Sequence, residues 1–331
     1  MESQIKFHPD PKLKLMDQIR EVLRYHHYAY RTEQAYCQWI LRYIRFSGDN
    51  LHPRDLNAHH VERFLSDLVV KGEVSASTQR QALNAIVFLY REVLDLSLEG
   101  IRLPTRSKRK AVLPTILGKK EIKRFFQHIE GTHALMAKIM YGSGLRLMEC
   151  IRLRIKDVDF DQQRLHVPGK EDKWRSTILG QPIIRELKFH IEQVKALHRK
   201  DLEEGFGEVY IPAAFGLKYE NAAMETQWQY VFPSKKRSID PRLGCERRHH
   251  VLESGLQKAV KRAAQRAGID KRVTCHTLRH SFATSMLDNG INIKMLQEFM
   301  GHRDVKTTER YLHLMDKDIS RITSPLENLN F

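Results

Sequence analysis

Apolar residues spaced three and four apart run through most of this chain, and that periodicity constrains the fold more than any other feature of the sequence. Between residues 13 and 95 it predicts four amphipathic helices with short connections, the third of them starting from Asn57 as N-cap. Such helices make a small helical domain, with their apolar faces as its core. Those faces contain Leu13, Met16, Ile19, Leu23, Tyr36, Trp39, Ile40, Tyr43, Ile44, Val61, Phe64, Leu65, Leu68, Ile86, Leu89 and Val93.

Short β-like runs interrupt the helical pattern in the second half of the chain, at residues 158–160, 165–167 and 176–178. Residues 161–162 and 169–172 separate them and have the composition of tight turns. The expected fold class is therefore mainly α with a small antiparallel β-sheet. The surrounding helices are predicted at residues 119–129, 132–141, 146–153, 183–198, 252–267, 277–289, 293–300 and 306–316, with an irregular stretch at 200–250.

Length and a local change in composition predict two domains. A chain of 331 residues exceeds the usual size of one domain. Residues 102–115 contain two prolines and five basic residues without helical periodicity, which is typical of an extended linker. We expect a helical domain at residues 1–100, a basic linker at 101–116 and a second domain at 117–331 that ends in a tail, 317–331.

The charge of the chain favours a polyanionic partner. Its 56 Lys and Arg residues against 40 Asp and Glu residues give a formal net charge of +16. The first 100 residues carry 13 charges of each sign, so the excess lies beyond them. Nucleic acid is the first candidate for such a surface and anionic lipid the second. The basic linker is either simply solvated or follows a phosphate backbone.

Several classes of protein do not fit the sequence. Its apolar runs are far shorter than the roughly 18 residues of a membrane helix, and its first residues do not resemble a secretory signal. The four cysteines are scattered without a CxxC pair, so neither a disulfide framework nor a zinc knuckle is expected. A reducing cytosol fits this cysteine usage.

Three segments of the second domain suggest chemistry, and the first of them surrounds Arg146. Gly142 and Gly144 permit a sharp turn, after which Arg146 is expected in the first turn of the next helix. A cation at that end opposes the helix dipole, and a nearby anion would remove the conflict. Taken alone, a surface arginine after a loop is the simpler interpretation.

The second segment, HTLRH, places an imidazole and a guanidinium on one face of a helix. His276 and Arg279 are three residues apart, and Thr277 is expected to cap the helix start. A guanidinium binds a phosphoryl group through two hydrogen bonds, and an imidazole moves a proton. A basic cluster on a helix surface is the alternative.

The third segment combines a helix end with a tyrosine. Gly301 is predicted to end the helix 293–300 in a left-handed conformation, so that His302 projects from the helix end. Tyr311 follows in the next short helix. A single helical tyrosine is far more often a packing residue than a nucleophile.

Together and in this order, the three segments resemble the signature of the tyrosine recombinases, the phage-integrase family. The matching text is GSGLRLMEC, HTLRHSFATSMLDNG, MLQEFMGH and TTERYLHL, and residues 1–110 resemble the family's helical core-binding domain. The resemblance implies site-specific DNA recombination through a 3′-phosphotyrosine, with no cofactor, ATP or metal ion. Lys170, in a turn between two predicted strands, matches the family's hairpin lysine, and Lys173 is its rival.

The resemblance also implies a role for each catalytic residue. The implied set is Tyr311, Arg146, Lys170, His276, Arg279 and His302. Tyr311 is the nucleophile, and the two arginines neutralise charge on the phosphate in the transition state. Lys170 is the candidate general acid, His276 the candidate acceptor of the tyrosine proton, and His302 hydrogen-bonds the phosphate. Glu149 is a candidate for orienting a neighbouring basic group.

Residues 198–233 look inserted relative to a minimal family member and carry a closer resemblance. The text GLKYENAAMETQWQYVFPS resembles the extra helical segment of integron integrases. That resemblance implies recombination of gene cassettes at attC, a folded single strand with protruding bases, and at attI, a duplex site. The residues expected to hold a protruding base are Trp228, Pro241, His249 and His250. Alternatively, Trp228 and Tyr230 are core residues of a β-like run.

The family resemblance also implies an assembly and leaves rival functions open. We expect a monomer that forms a tetramer on DNA, in which residues 325–331 either dock on a neighbour or form a frayed terminus. Within the family, the alternative is a phage-type integrase or a chromosome-dimer resolvase acting on double-stranded sites. Outside it, the alternatives are a non-catalytic DNA-binding protein and a metal-dependent nuclease.

Overall fold

The chain forms two compact units, Met1–Val112 and Leu113–Phe331, each with its own hydrophobic core. The structure is a computed structural model. It describes residues 7–48, 51–98, 114–169, 174–211 and 221–312. The units are mainly helical with small antiparallel sheets in the second, so the predicted fold class is confirmed. Over the described residues, no helix combines the length and the apolar character that crossing a membrane requires.

The first unit is a bundle of amphipathic helices. They are α1 (Leu15–Tyr25), α2 (Tyr30–Ser47), α3 (Ala58–Val70) and α4 (Ala76–Phe88), which continues as a π-helical turn, Leu89–Val93. As predicted, Asn57 caps α3 by accepting the backbone N–H of His59. Inside the bundle, the hydroxyls of Tyr43 and Tyr90 lie 3.0 Å apart, and Tyr90 donates to the Pro53 carbonyl. These bonds satisfy polar groups that would otherwise be costly to bury.

The second unit begins with helices and a three-stranded sheet. The helices are α5 (Lys119–Gln127), α6 (Gly131–Ser143) and α7 (Leu147–Ile151), and the strands are β1 (Val158–Asp159), β2 (Arg164–Pro168) and β3 (Trp174–Ile178). The strands pair antiparallel in sequence order, with Leu165 opposite Thr177. The predicted sheet is therefore confirmed.

A long helix and a short hairpin separate this sheet from the last helices. The remaining elements are α8 (Ile184–Glu203), β4 (Ser238–Ile239), β5 (Glu246–Arg247), α9 (Glu253–Arg266), α10 (Cys275–Asp288), α11 (Ile293–Met300) and α12 (Lys306–Glu309). Strands β4 and β5 pair antiparallel inside the stretch that was expected to be irregular.

Helix α6 lies in the middle of the second core because apolar residues cover nearly all of its surface. It packs against α9 and α10. Near its end, the hydroxyl of Thr177 on β3 donates to the Ser143 carbonyl at 2.8 Å, in a buried position. The end of α6 therefore lies beside β3 and α10, where the residues of the three sequence segments meet.

Two local predictions at this meeting point are wrong in detail. Thr274, not Thr277, is the N-cap of α10, because its hydroxyl accepts the Thr277 backbone N–H. Arg146 does not lie in the first turn of α7 but is its N-cap, with an extended backbone. In both cases the predicted helix start is displaced by one to three residues, because periodicity alone does not locate the first residue of a helix.

Several predictions fall outside the described residues. They concern Lys170, Lys173, the tail 317–331, most of the linker 101–116 and the end of the helix expected at 306–316.

Candidate active site

The turn between α6 and α7 brings Arg146 to helix α10. Gly144 has a left-handed backbone, with φ of +65°, and a Cβ there would lie 2.4 Å from the ring of Phe282. Only glycine fits such a position without strain. The turn thereby packs on α10, where the guanidinium of Arg279 donates to the Gly144 carbonyl.

Three arginines of this region surround one carboxylate, and we name Arg146, Arg175 and Arg279 the arginine cluster. Arg146 donates to Glu149 twice, through its backbone N–H and its Nη1, both at 2.7 Å. Arg175 donates two hydrogen bonds to the same carboxylate, at 3.1 and 2.8 Å, and Arg279 Nη1 lies 3.7 Å from it. Burial raises the pKa of Glu149, but the hydrogen bonds from Arg175 and Arg146 outweigh it, so the pKa lies below its usual value. Glu149 is thus charged, and it orients the cluster as anticipated.

The other hydrogen bonds of the Arg279 guanidinium go to neutral acceptors, and Arg279 is only 3% exposed. Its Nη2 donates to the Met300 carbonyl at the end of α11 and, at 3.3 Å, to Nε2 of His302. Carbonyls at helix ends orient a guanidinium but carry only partial charge. The cluster therefore keeps an excess of positive charge that suits an external anion.

Gly301 ends α11 in the predicted left-handed conformation, with φ of +59°. A Cβ there would lie 2.7 Å from the side chain of Arg175, and the Gly301 carbonyl accepts from Arg146 Nη2 at 2.9 Å. The chain then turns so that Nδ1 of His302 lies 2.9 Å from the hydroxyl of Thr308. A glycine at the helix end thus lets both arginines and the histidine converge.

Tyr311 lies in this same site and is only 2% exposed. Its ring is nearly parallel to that of His302, with centroids 6.3 Å apart. Its hydroxyl lies 2.7 Å from Nδ1 of His280. Sequence reasoning chose His276 as the partner of this hydroxyl, but the ring of His276 lies one helical turn away, 6.3 Å from the ring of His280.

The buried, cationic surroundings shift the titration of these groups. Burial, and then the nearby arginines, lower the pKa of His302 to about 3. Burial, followed by His276 and Arg279, lowers the pKa of His280 to about 4. Burial raises the pKa of Tyr311, although the arginines oppose it. At neutral pH the two imidazoles are therefore uncharged, and the phenol keeps its proton until a base accepts it.

Sequence reasoning gave no role to Arg175 or His280. His280 directly follows Arg279 in the HTLRH segment. Arg175 precedes the buried Thr177 by two residues on β3, and it also donates to the Phe299 carbonyl at 3.0 Å. The sequence signal that could have revealed Arg175 is its spacing: residues two apart on a strand share one face of the sheet, and a charged residue on the buried face is unusual.

With this geometry in place, the chain can be compared with known proteins. Residues 115–318, more than half of its length, match the Phage integrase family, and residues 15–99 match the phage-integrase N-terminal SAM-like domain. The chain belongs to the phage integrase family.

Relatives of this recombinase cover nearly its whole length. It is 41% identical over 322 residues to proteins named integrase/recombinase from Escherichia coli and Pseudomonas aeruginosa, which covers 97% of this chain and 95% of each relative. It is 30% identical over 286 residues to tyrosine recombinase XerA of Thermococcus kodakarensis, covering 85% and 83% of the two chains. The protein is a site-specific tyrosine recombinase.

Solved structures show the same fold. The XerH site-specific recombinase bound to palindromic difH substrate has a TM-score of 0.56 at 20% identity, covering 97% of this chain and 99% of that one. The Tn1549 transposon integrase in complex with transposon right end DNA has a TM-score of 0.59 at 14% identity, covering 95% and 96%.

Trp228, the first of the expected base-binding residues, is buried in the recombinase, with 8% exposure. The ammonium of Lys156 lies 4.3 Å from the centroid of its ring and 4.8 Å from that of Trp174, which is 46% exposed. Arg154 stacks between Trp228 and Tyr230. The alternative interpretation of Trp228 and Tyr230 as core residues thus agrees with their burial, and the Lys156 amine lies over the ring of Trp228.

The histidine pair lies next to Tyr230. The rings of His249 and His250 are 4.2 Å apart, and both meet the ring of Tyr230 edge-on, at 5.7 and 5.3 Å. Pro241 is exposed in the turn between β4 and β5. The structure therefore groups Trp228 and the two histidines around Arg154 and Tyr230, and it places Pro241 on the hairpin.

Salt bridges fasten this hairpin to the end of α8. Asp201 is buried and pairs with Arg237 at 3.0 Å and with Arg248 at 2.6 Å. Further carboxylates flank these arginines and Arg247. They are Glu204, Glu208, Asp240 and Glu246. We name the three arginines and five carboxylates the hairpin network.

Both ends of the segment 198–233 belong to the domain itself. Its first residues complete α8, where His198 and Asp201 are buried. Its last residues, Val231 and Phe232, lie in the main core. Deleting the segment would therefore remove core residues as well as inserted ones. Point substitutions are the better test of what the inserted residues do.

Proposed function

We propose that this tyrosine recombinase is an integron integrase that integrates and excises gene cassettes by recombining attC and attI. The observation that carries the proposal is the meeting of Tyr311 with Arg279 and His302 in one buried, cationic site. The resemblance of residues 198–233 to integron integrases directs the proposal toward cassette sites. DNA is then the partner, as folded single-stranded attC hairpins and as duplex attI.

Strand cleavage follows from the chemistry of the residues. The Tyr311 oxygen attacks a phosphodiester, the bond from phosphorus to the 5′-oxygen breaks, and a 3′-phosphotyrosine and a 5′-hydroxyl result. The ester keeps the bond energy, so the hydroxyl of a second strand can reverse the step without ATP. Arg146 and Arg279 neutralise charge on the nonbridging oxygens, and His302 hydrogen-bonds them. We place His276 in the catalytic set beside Arg279.

Lys170 is the proposed donor of the proton to the leaving 5′-oxygen. Alanine at this position should slow cleavage of ordinary DNA but not of DNA with sulfur as the bridging atom, because a thiolate leaves without a proton. Lys173→Ala is the matched control and should cleave both substrates normally. Rescue of Lys173→Ala instead would move the role to that residue. Cleavage in the presence of EDTA tests the expectation that no metal ion takes part.

Recognition of protruding bases is the part of the proposal that concerns attC. Trp228, Pro241, His249 and His250 are the proposed contacts, and bases stack on flat aromatic rings. A base stacked on Trp228 would take the place of the Lys156 amine, opposite the exposed Trp174. The Lys156 side chain is 24% exposed and its amine pairs with Asp157 at 3.4 Å. Displacing this amine costs less than opening an apolar core, so the face of Trp228 beneath it is suited to stacking a base.

The proposed assembly is a tetramer on two DNA sites, formed in the cytoplasm at the nucleoid. Exchange of strands between two sites requires four nucleophiles, one from each protomer. The tail 317–331 is the proposed contact between neighbours.

The decisive experiment compares one attC site as a folded bottom-strand hairpin and as a duplex. The wild type should recombine the hairpin, and Trp228→Ala should lose more activity on the hairpin than on duplex attI. Phe189→Ala, which removes an exposed ring on α8, is the control and should behave as wild type. Tyr311→Phe should form no protease-sensitive covalent complex with either DNA. Recombination of the duplex alone would contradict the integron assignment.

Recombination of double-stranded sites is the second candidate function. Its support is the likeness to XerA and to tyrosine recombinase XerD of Listeria monocytogenes, at 28% identity over 298 residues. A resolvase or phage-type integrase would prefer the duplex in the same assay, and Trp228→Ala would then affect both substrates alike.

A further inference from the structure

We propose that His280 accepts the proton of Tyr311 when this tyrosine attacks DNA, a role that rests on the proposed function of Tyr311 as nucleophile. The hydroxyl lies 2.7 Å from His280 Nδ1, within the distance over which a general base works. Tyr311 is only 2% exposed, so bulk water has little access to it. The base must therefore come from the protein around it.

The other two histidines of the site are not placed for this task. Arg279 donates to Nε2 of His302, so that nitrogen is an acceptor and the ring proton resides on Nδ1, which faces Thr308. Both nitrogens of His302 are thus engaged in the protein without DNA. Among the described contacts, His276 meets His280 and not Tyr311. His280 is the histidine that touches the reacting oxygen.

The proton balance of the step is simple. In the tautomer with its proton on Nε2, His280 accepts a hydrogen bond from Tyr311 at Nδ1. As the oxygen–phosphorus bond forms, the phenolic proton moves to Nδ1, and the 5′-oxygen leaves with a proton from the general acid. In religation, phosphorus bonds to the incoming 5′-oxygen, whose proton returns to the deprotonated general acid, while the bond to the Tyr311 oxygen breaks and that oxygen recovers its proton from His280.

The charges around His280 link this proton transfer to DNA binding. His276 and Arg279 face it from α10, and Arg310 faces it from the residue after α12. Burial, and then these neighbouring groups, hold the pKa of His280 low, so the imidazole is neutral and free to accept a proton. A phosphate beside Arg279 would offset that positive charge and raise the pKa of His280. The base is therefore weak without DNA and stronger once the substrate is bound.

His280→Asn tests the proposal because an amide oxygen can accept the hydrogen bond near Nδ1 but takes no proton. The assay is single-turnover formation of the covalent complex on a nicked suicide duplex and on an attC hairpin. We expect a rate about 10² to 10⁴ times lower than wild type at pH 7. DNA affinity should stay unchanged. The rate should rise steeply in alkaline solution, where the phenol ionises without help. His276→Asn is the matched control and should not acquire this pH dependence.

A more acidic phenol should restore the variant. Difluorotyrosine at position 311 should recover most of the lost rate in His280→Asn and much less in His276→Asn. A wild-type rate and pH profile for His280→Asn would overturn the proposal. Absence of any adduct in the wild type on both DNAs would instead overturn Tyr311 as nucleophile, so the two failures are distinguishable.

Nitrogen-15 NMR of the histidines keeps the proposal testable if His280→Asn does not fold. The free wild-type protein should show His280 as the neutral ring with its proton on Nε2, and Tyr311→Phe should shift the Nδ1 resonance. A proton on Nδ1 would overturn the proposal without any variant at position 280.

Discussion

Two groups of three arginines in the second unit face very different numbers of carboxylates. Among the described residues, the arginine cluster pairs with Glu149 alone. The hairpin network sets its three arginines against five carboxylates, with Asp201 at the centre. Each group combines buried and exposed side chains, since Arg146 is 39% exposed in the one and Glu208 50% in the other, so what separates them is the number of carboxylates.

The comparison indicates what each group is for. Carboxylates that outnumber the neighbouring arginines neutralise their charge, and the ion pairs fix the backbone that carries them. An unbalanced set, held mainly by neutral carbonyls, keeps the capacity to bind an anion that arrives from outside. On this view the arginine cluster provides the positive charge that binds a phosphate, and the hairpin network holds β4 and β5 against α8.

The largest expected effect comes from removing an arginine of the unbalanced group. Arg279→Gln should slow covalent complex formation about 10²- to 10³-fold, or about 3–4 kcal/mol of barrier, since it removes a preorganised donor to the transition state. Suicide-substrate cleavage measures this rate. Arg248→Gln in the hairpin network is the matched control, and its folded fraction should cleave at the wild-type rate. Equal losses of cleavage in both variants would show that the arginine cluster and the hairpin network do not differ in function.

The second prediction concerns the stability that the hairpin network provides. Asp201→Asn leaves Arg237 and Arg248 without their shared buried partner, and breaking such a pair should lower the free energy of unfolding by about 3 kcal/mol. Chemical denaturation measures it. Lys195→Ala, which breaks the exposed pair with Glu192 on the same helix, should cost no more than about 0.5 kcal/mol. A loss of cleavage without loss of stability in Asp201→Asn would contradict a structural role.

Local signals made much of this architecture predictable. The N-cap at Asn57, the left-handed Gly301 and the turn between β1 and β2 each depend on residues adjacent in sequence. Periodicity located the helices for the same reason. The proposed catalytic set came from a family resemblance, and Arg146, Arg279, His302 and Tyr311 lie together in the structure.

The rest depends on contacts between residues far apart in sequence. His276 and His280 lie one turn apart on α10, and the choice between them depends on how α12 packs. The burial of Trp228 depends on Arg154 and Lys156, more than seventy residues earlier. No pattern within a single segment encodes such contacts.

The third prediction asks whether Arg175 belongs to chemistry or to structure. It binds Glu149 with two hydrogen bonds and the Phe299 carbonyl with a third, so it holds β3 against the end of α11. Arg175→Lys keeps the charge but loses the planar fork. We expect cleavage to fall about tenfold, or about 1.4 kcal/mol, while DNA affinity is retained. An unchanged cleavage rate would make Arg175 purely structural.

The fourth prediction has the smallest expected effect and concerns how each group makes the stability of the protein depend on pH. His302 has its pKa lowered to about 3 in the folded cluster, against about 6.5 when unfolded. The unfolded chain therefore binds more protons below pH 6.5, and stability falls as pH drops from there toward 3. One histidine contributes at most about 1.4 kcal/mol per pH unit. The low pKa of Asp201 acts only in more acidic solution, because a carboxylate whose pKa is depressed loses its contribution below about pH 4.

Thermal unfolding between pH 7 and 5 measures this difference. His302→Asn should flatten the decline in melting temperature over that range, whereas Asp201→Asn should lower the whole curve without changing its slope. Bound DNA should also flatten the wild-type curve, because a phosphate at the arginines raises the pKa of His302 toward its unfolded value. If bound DNA leaves the slope unchanged, the phosphate does not bind beside the excess positive charge of the arginine cluster.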